Sequence, residues 1–232
     1  YGTRLFLPLT NQSFSWNNIA IADIFFTLPM LVMLIVGLCF RNESTKRRNW
    51  IASLFIYCFL YLGYTSINKV NANTLFEKSL KSEQISYDTY MTNPTILNNF
   101  LWYGIAKNDS MLYIAENSLL FPNEKLKWLS YSRNRSLLEA YPDKKRTDVI
   151  KWFSLGYDIS EKNQDTLNVY CVKFGRTNMQ KDSLKSTFVF HYKLFNSNGE
   201  SKMTMEEPTD KSINYKEGII DLYERIMGKQ NQ

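Results

Sequence analysis

Two long apolar runs near the start of the chain dominate its hydropathy pattern. The first, residues 19–40, is 22 residues long and holds Asp23 as its only charged residue. The second, residues 50–67, has no charged residue. A bilayer core about 30 Å thick needs about 20 apolar residues in a helix. The pattern therefore predicts a transmembrane hairpin over residues 19–67, with a buried helical hairpin in a soluble protein as the alternative.

A short basic loop, residues 41–49, separates the two runs. It holds four basic residues and one acidic residue, namely Arg41, Lys46, Arg47, Arg48 and Glu43. Short loops rich in Lys and Arg stay on the cytoplasmic side of a membrane. We therefore expect a multi-pass protein of the cell (inner, cytoplasmic) membrane. Residues 1–18 are then an extracytoplasmic lead-in, and residues 68–232 form an extracytoplasmic domain.

The chain after residue 67 is polar and carries both helix and strand patterns. Residues 68–85 lack Pro and Gly and have apolar positions at helical spacing, so they can continue the second span as one long helix. Residues 93–94, Asn-Pro, then break the pattern. Residues 100–106 and 111–120 flank a turn-forming segment and predict a β-hairpin.

Further elements are predicted along the rest of this domain. Two short helices are expected at 136–141 and 146–153, and two strands at 166–174 and 186–195. An amphipathic helix follows near the end, with one face formed by Ile213, Ile219, Ile220, Tyr223, Ile226 and Met227. The predicted fold class is α+β, a transmembrane helical hairpin followed by a small antiparallel-sheet domain with flanking helices.

Composition narrows the function classes. The chain has 28 Lys and Arg against 22 Asp and Glu, but outside the 41–49 loop this excess is diffuse, so no nucleic-acid partner is expected. Membrane lipid is the expected partner, because the basic loop can meet anionic head groups. The three Cys residues have no CxxC spacing, and the single His excludes a site that needs two histidines from this chain alone.

Asp23 stands out because it lies in the first turns of a predicted spanning helix. An intramembrane carboxylate is by default a functional candidate, since burying it unpaired costs several kcal/mol. The alternative is a helix cap or snorkelling side chain at the outer interface. Arg4 is its candidate partner within the chain. Pro29 is expected to kink the same helix and to free a carbonyl near Ile24 or Phe25.

No known catalytic motif accompanies this carboxylate. The patterns GxGxxG, GxSxG, HExxH and the P-loop do not occur in the sequence. His191 lies among aromatic residues of a predicted strand, where a hydrogen-bonded sheet residue is the favoured interpretation. Other carboxylates are scattered without the spacing of a catalytic pair, among them Glu77, Asp88, Glu116, Asp158 and Asp165.

Five short motifs resemble those of LexA-regulated, membrane-bound metal-dependent hydrolases and occur in that family's order. They are YGTRLFLPL (1–9), IADIFFTLP (21–29), PTILNNFLW (94–102), FSLGY (153–157) and KFG (173–175). In the family, a Tyr/Trp-Gly-Thr stretch directly follows a Thr-His…Asp metal motif. Two positions depart from the pattern, since Ile24 stands where Pro is common and Cys171 where an Asp often precedes the last triplet.

The resemblance implies that this chain is the C-terminal portion of such a hydrolase, inactive alone and binding no metal alone. A divalent metal, zinc foremost, belongs to the full-length protein, where a metal-bound water would attack an ester or related bond. Asp23 is then an acceptor that orients a metal-ligating His, or a partner of Arg4. Lipid-linked compounds are candidate substrates. The alternative is a non-catalytic, membrane-anchored protein that binds a partner through its aromatic sheet.

Overall fold

The computed structural model describes residues 6–11, 14–20, 22–40, 44–123, 125–176, 188–197, 200–206 and 215–229. Within these residues the chain forms five helices and two four-stranded antiparallel sheets. The predicted α+β class is confirmed. The structure differs from the prediction in having two sheets where one was expected.

Two apolar helices, α1 (Ile24–Cys39) and α2 (Thr45–Ser82), lie side by side and antiparallel. α1 begins at Ile24, later than the apolar run that predicts it. Within α1, Pro29 has no N–H to donate to the carbonyl of Phe25. The hydroxyl of Tyr57 on α2 donates to that carbonyl instead. The carbonyl that proline frees is therefore satisfied across the helix pair.

α2 is 38 residues long, which corresponds to about 57 Å at the rise of an α-helix. Among the described residues it is the one helix long and apolar enough to cross a membrane, and α1 is shorter at 16 residues. The helix runs without interruption through residues 68–82, which confirms the predicted continuation of the second apolar run. Its second half lies against a β-sheet.

Each sheet joins four consecutive strands in sequence order, and every neighbouring pair is antiparallel. Sheet 1 consists of β1 (Thr89–Pro94), β2 (Leu101–Lys107), β3 (Met111–Ser118) and β4 (Leu129–Ser132). Sheet 2 consists of β5 (Asp158–Asn163), β6 (Thr166–Arg176), β7 (Phe188–Ser197) and β8 (Glu200–Glu206). The predicted hairpin is β2–β3, and the two predicted later strands are β6 and β7.

The two sheets pack face to face around one apolar core. Alternate residues of β2 and β3 meet alternate residues of β5 and β6, as the period-2 geometry of strands requires. Large buried side chains on the two sides are Tyr103, Ile105, Ile114, Ile159, Tyr170 and Val172. This packing makes the two sheets one sandwich.

Helices cover both outer faces of the sandwich. On sheet 1, the ring of Phe76 from α2 lies over Gly104, where an added Cβ would stand 2.4 Å from the ring. On sheet 2, two short helices pack apolar residues against β6 and β7, namely α3 (Arg135–Glu139) and α4 (Lys144–Ser154). The domain therefore has four layers in the order helix, sheet, sheet, helix.

The last described helix, α5 (Tyr215–Ile226), contacts β3 through a buried ion pair. Nη1 of Arg225 lies 2.8 and 3.0 Å from the two carboxylate oxygens of Glu116, and the side chains are 10% and 11% exposed. Three apolar residues of the face predicted for this helix are exposed instead, namely Ile219, Ile220 and Tyr223. Ile213 lies outside the described residues.

Candidate functional site

Asp23 lies directly before α1 and is 1% exposed. Its Oδ1 accepts two hydrogen bonds, from the backbone N–H of Phe26 at 3.1 Å and from the hydroxyl of Tyr61 at 2.8 Å. Its Oδ2 is buried and has no hydrogen-bond partner among the described residues. Arg4, the predicted partner, lies outside the described residues. One carboxylate oxygen of Asp23 therefore accepts hydrogen bonds within the helix pair, and the other has no hydrogen-bond partner among the described residues.

A network of polar side chains lies one turn further along α2. Nδ2 of Asn18 donates to Oγ1 of Thr65 at 3.0 Å. The backbone carbonyl of Asn18 accepts from Nδ2 of Asn99 at 2.7 Å, and Oδ1 of Asn99 accepts from Nδ2 of Asn68 at 2.9 Å. These bonds join the segment before α1, the helix α2 and the loop between β1 and β2.

The loop between β1 and β2 is closed by the side chain of Asn98. Its Oδ1 accepts from the backbone N–H of Leu101 at 2.8 Å, and its Nδ2 donates to Oγ1 of Thr95 at 2.9 Å. Leu97, at the tip, has φ +68°, a left-handed conformation that costs a non-glycine residue about 1–2 kcal/mol. The side-chain bonds of Asn98 fix the loop in this strained shape.

The strained tip contacts the start of α1. The backbone N–H of Ile24 donates to the carbonyl of Leu97 at 3.2 Å. Two of the motifs that carry the family resemblance, residues 21–29 and 94–102, therefore meet beside Asp23 although they are far apart in sequence. We find no signal in the sequence that predicts this contact, because it depends on how the sandwich packs on α2.

A second polar site, a cavity of about 400 Å³, lies at one end of the sandwich. Four acidic and four basic side chains line it, namely Asp88, Asp109, Glu139, Asp158, Lys107, Arg133, Arg135 and Lys151. Two of these carboxylates, Asp88 and Asp158, were predicted to be scattered. The fold brings them to one cavity, which the spacing of residues along the chain did not indicate.

Two of the basic residues in this cavity bind backbone carbonyls. Arg133 is 3% exposed and donates to the carbonyls of Asn108 and Gly156, each at 2.6 Å. Lys107 donates to the carbonyl of Leu155 at 2.9 Å. Burial lowers the pKa of Lys107, and the neighbouring Arg133 lowers it further. These contacts hold loops together. The four acidic and four basic side chains that line the cavity give no net charge.

His191 has the partners of a sheet residue. Its Nε2 lies 2.9 Å from Oδ1 of Asn168, and its ring stacks on Tyr170 with centroids 4.4 Å apart. This confirms the interpretation of His191 as a hydrogen-bonded residue of the sheet. Cys171 is buried in β6, pairs in register with Asp158 and has its pKa raised by burial, which keeps its sulfur in the unreactive thiol form.

The metal implied by the resemblance needs a set of ligands. Within the described ranges, no three or more His, Cys, Asp and Glu side chains come together to hold an ion. The described residues therefore do not by themselves fit a metal site. No family model, curated protein or solved structure matches the chain.

Proposed function

We propose that this chain is the C-terminal portion of a membrane-bound metal-dependent hydrolase, to which it supplies a membrane anchor and an accessory α+β domain. The metal ligands then belong to sequence outside this chain. Five motifs support the proposal by their resemblance and order. The structural observation that supports it is the buried carboxylate of Asp23, of which one oxygen has no partner among the described residues.

The open oxygen of Asp23 favours a contact with another part of the protein. A buried polar atom without a hydrogen bond costs roughly 1–3 kcal/mol, and a charged one costs more. An N–H donor from outside the described residues would remove most of that cost. The imidazole of a metal-bound histidine is such a donor, and carboxylates commonly hold it in orientation. The meeting of two family-like motifs beside Asp23 supports the same location.

We also propose that α1 and α2 both cross the cell membrane, with the loop between them in the cytoplasm. Both helices expose large apolar side chains that no described part of the protein covers, among them Leu28, Leu31, Ile35, Leu38, Phe55, Phe59 and Leu60. An exposed apolar surface of this extent is typical of contact with lipid or a partner. Asp23 and the sandwich then share the outer side.

A reporter fusion tests the orientation. A reporter that is active only in the cytoplasm is expected to work when fused after Arg48 and to fail when fused after Gln232, because the basic loop stays inside. Activity of the fusion after Gln232 would contradict the extracytoplasmic location of the α+β domain. A reporter active only outside the cytoplasm, fused at the same two positions, is the control and should give the reverse pattern.

Asp23→Asn tests the role of the carboxylate, in the longer protein that includes the upstream sequence. We expect its zinc affinity, measured by equilibrium dialysis, to fall by about 10- to 100-fold, the usual loss when a group that orients a metal ligand is removed. Asparagine has nearly the same shape and caps helices about as well as aspartate. The thermal unfolding temperature should therefore change little.

Two matched variants sharpen this test. Asp165→Asn removes an exposed carboxylate at the turn between β5 and β6, and it should leave zinc affinity unchanged. Tyr61→Phe removes only the hydroxyl that donates to Asp23, so its loss of zinc affinity should be smaller than that of Asp23→Asn. Unchanged zinc affinity in Asp23→Asn would mean that this residue only caps α1 and would contradict the proposal.

A non-catalytic membrane-anchored binding protein is the second candidate function. Three large apolar residues of α5 are exposed and favour this function, namely Ile219, Ile220 and Tyr223. Single exposed apolar residues are common on protein surfaces, but three on one short helix are typical of a binding surface. The aromatic residues of sheet 2 instead pack on Phe153 of α4, through Phe174, Phe190 and Tyr192. Failure of the longer wild-type protein to bind zinc tightly would favour this candidate over the hydrolase.

A further inference from the structure

A second cavity, of about 680 Å³, lies where α2 leaves its apolar half and reaches the sandwich. The segment 14–17 forms one wall, and α2 and β1 form the others. Its lining combines aromatic and polar side chains, among them Phe14, Trp16, Tyr90, Lys69, Asn73 and Thr92. A volume in this range is typical of pockets that bind small molecules.

Lys69 is the charged residue of this cavity and is only 9% exposed. Its ammonium donates to the backbone carbonyl of Thr92 at 2.5 Å and to the hydroxyl of Thr92 at 2.8 Å. Within the described residues, no carboxylate lies within the 4.0 Å of an ion pair. The ammonium also lies 5.8 Å from the centre of the Trp102 ring. It has three N–H donors, so one is left for another hydrogen-bond acceptor. A buried cation without a counter-charge favours an anion beside it.

Asn73 lies one helical turn after Lys69 on the same face of α2. Its Oδ1 accepts from the hydroxyl of Thr92 at 2.5 Å, which fixes the orientation of the amide. Its NH2 group donates to no described residue, and the side chain is half-buried at the cavity. Lys69 and Asn73 therefore offer donors side by side, an arrangement suited to the oxygens of a phosphate group.

The position of the cavity along α2 indicates where the ligand comes from. Ile67 and Val70 flank Lys69 in sequence and are exposed apolar residues. Trp16, on the opposite wall, is 69% exposed, and tryptophan is enriched where membranes meet water. With α2 crossing the membrane as proposed above, the ammonium is buried at the end of the lipid-facing part of the helix, at head-group level.

We propose that this cavity binds the phosphate of an anionic membrane lipid. The Lys69 ammonium and the Asn73 amide donate to the phosphate oxygens. Phe14 and Trp16 contact the glycerol and upper acyl region. The burial of Lys69 supports the assignment, because it lowers the pKa of this residue to about 8 and an anion nearby would offset that desolvation. This inference concerns a site separate from Asp23. It rests on the proposed membrane crossing of α2 and not on the hydrolase proposal.

Isothermal titration of the full chain in a neutral detergent tests the site. Dihexanoyl phosphatidic acid is expected to bind. Dihexanoyl phosphatidylcholine brings a choline cation close to the Lys69 ammonium, and inorganic phosphate lacks the acyl part that contacts Phe14 and Trp16. Both are therefore expected to bind at least 10-fold more weakly. Lys69→Gln should lower the affinity for phosphatidic acid by about 10-fold or more. Lys78→Gln, which changes an exposed lysine on the same helix, should not change it.

A second variant keeps the test decisive if Lys69→Gln unfolds. Asn73→Asp places a carboxylate four residues from Lys69, where it can pair with the ammonium, so the protein should stay folded and lose phosphatidic acid binding. Equal binding of phosphatidic acid and inorganic phosphate would overturn the lipid assignment. Equal binding of phosphatidic acid and phosphatidylcholine would overturn the preference for a head group of net negative charge, and unchanged binding in both variants would overturn the site itself.

Discussion

Arg225→Met is expected to lower the free energy of unfolding by about 3–5 kcal/mol, the usual cost of removing one partner of a buried ion pair. The reason is the carboxylate of Glu116, which is 11% exposed and loses its cation. Chemical denaturation of the detergent-solubilised protein measures this loss. Glu116→Gln combined with Arg225→Met should cost less than the sum of the two single changes, because it removes both charges of this pair. Asp221, whose Oδ2 also lies 2.9 Å from Nε of Arg225, is 25% exposed and loses the same partner in both Arg225 variants.

The same variant should become more sensitive to pH than the wild type. Burial already raises the pKa of Glu116 above its ordinary 4.5, and Arg225 opposes this shift. Without Arg225 the folded-state pKa rises further, so the folded state binds a proton more tightly than the unfolded chain. The contribution of Glu116 to stability is then largest below pH 4.5 and is lost as pH rises through the folded-state pKa. The double variant should lack this dependence, and Lys81→Met, in an exposed pair, should show neither effect.

Gly104→Val is expected to destabilise the sandwich by about 3 kcal/mol, at the upper end of the range for overpacked cores. A Cβ at this position would lie 2.4 Å from the ring of Phe76, which is fully buried between α2 and sheet 1. The ring cannot move outward without separating the helix from the sheet. Thermal unfolding in detergent measures the effect, and loss of near-ultraviolet circular dichroism would report the disturbed aromatic packing.

Two further variants test this explanation. Phe76→Leu in the Gly104→Val background should restore part of the stability, because the smaller side chain makes room for the added carbons. Gly63→Ala is the matched control, since nothing lies within 4 Å of a Cβ at that position on α2 and alanine favours helix over glycine. Equal losses for Gly63→Ala and Gly104→Val would show that the contact with Phe76 is not the cause.

The sequence predicted the elements with strong periodicity. Successive side chains of β2 and β3 point to opposite faces of the sheet, and the two faces pack against different partners. The strand pattern is therefore visible in the local sequence. α2 is visible because residues 50–82 contain neither Pro nor a turn signal. By contrast, β4 and β8 are short or polar strands at sheet edges. β1 ends at Pro94, and the sequence pattern predicted a break at this proline. An edge strand tolerates proline. The division into two sheets depends on long-range pairing, which local patterns do not carry.

The candidate sites were predictable to different extents. Asp23 was found because a single charge in an apolar run is conspicuous. Its partner Tyr61 was not, because tyrosine is common at the ends of such runs and only the packing of α1 on α2 brings the two together. The sequence did not indicate Lys69 either. A single lysine in a polar stretch is typical of a solvated side chain, and only the packing of β1 and the segment 14–17 buries it.

The uninterrupted course of α2 has a mechanical consequence if this helix crosses a bilayer, as we propose. No Gly or Pro follows Gly63 in this helix, so residues 64–82 contain neither of the residue types at which kinks usually occur. The sandwich packs on this C-terminal half of the helix and therefore moves with it. Helices respond to changes in bilayer thickness by tilting. A thinner membrane should therefore incline the whole sandwich toward the lipid surface, and the distance between Lys69 and the bilayer midplane should vary with lipid chain length.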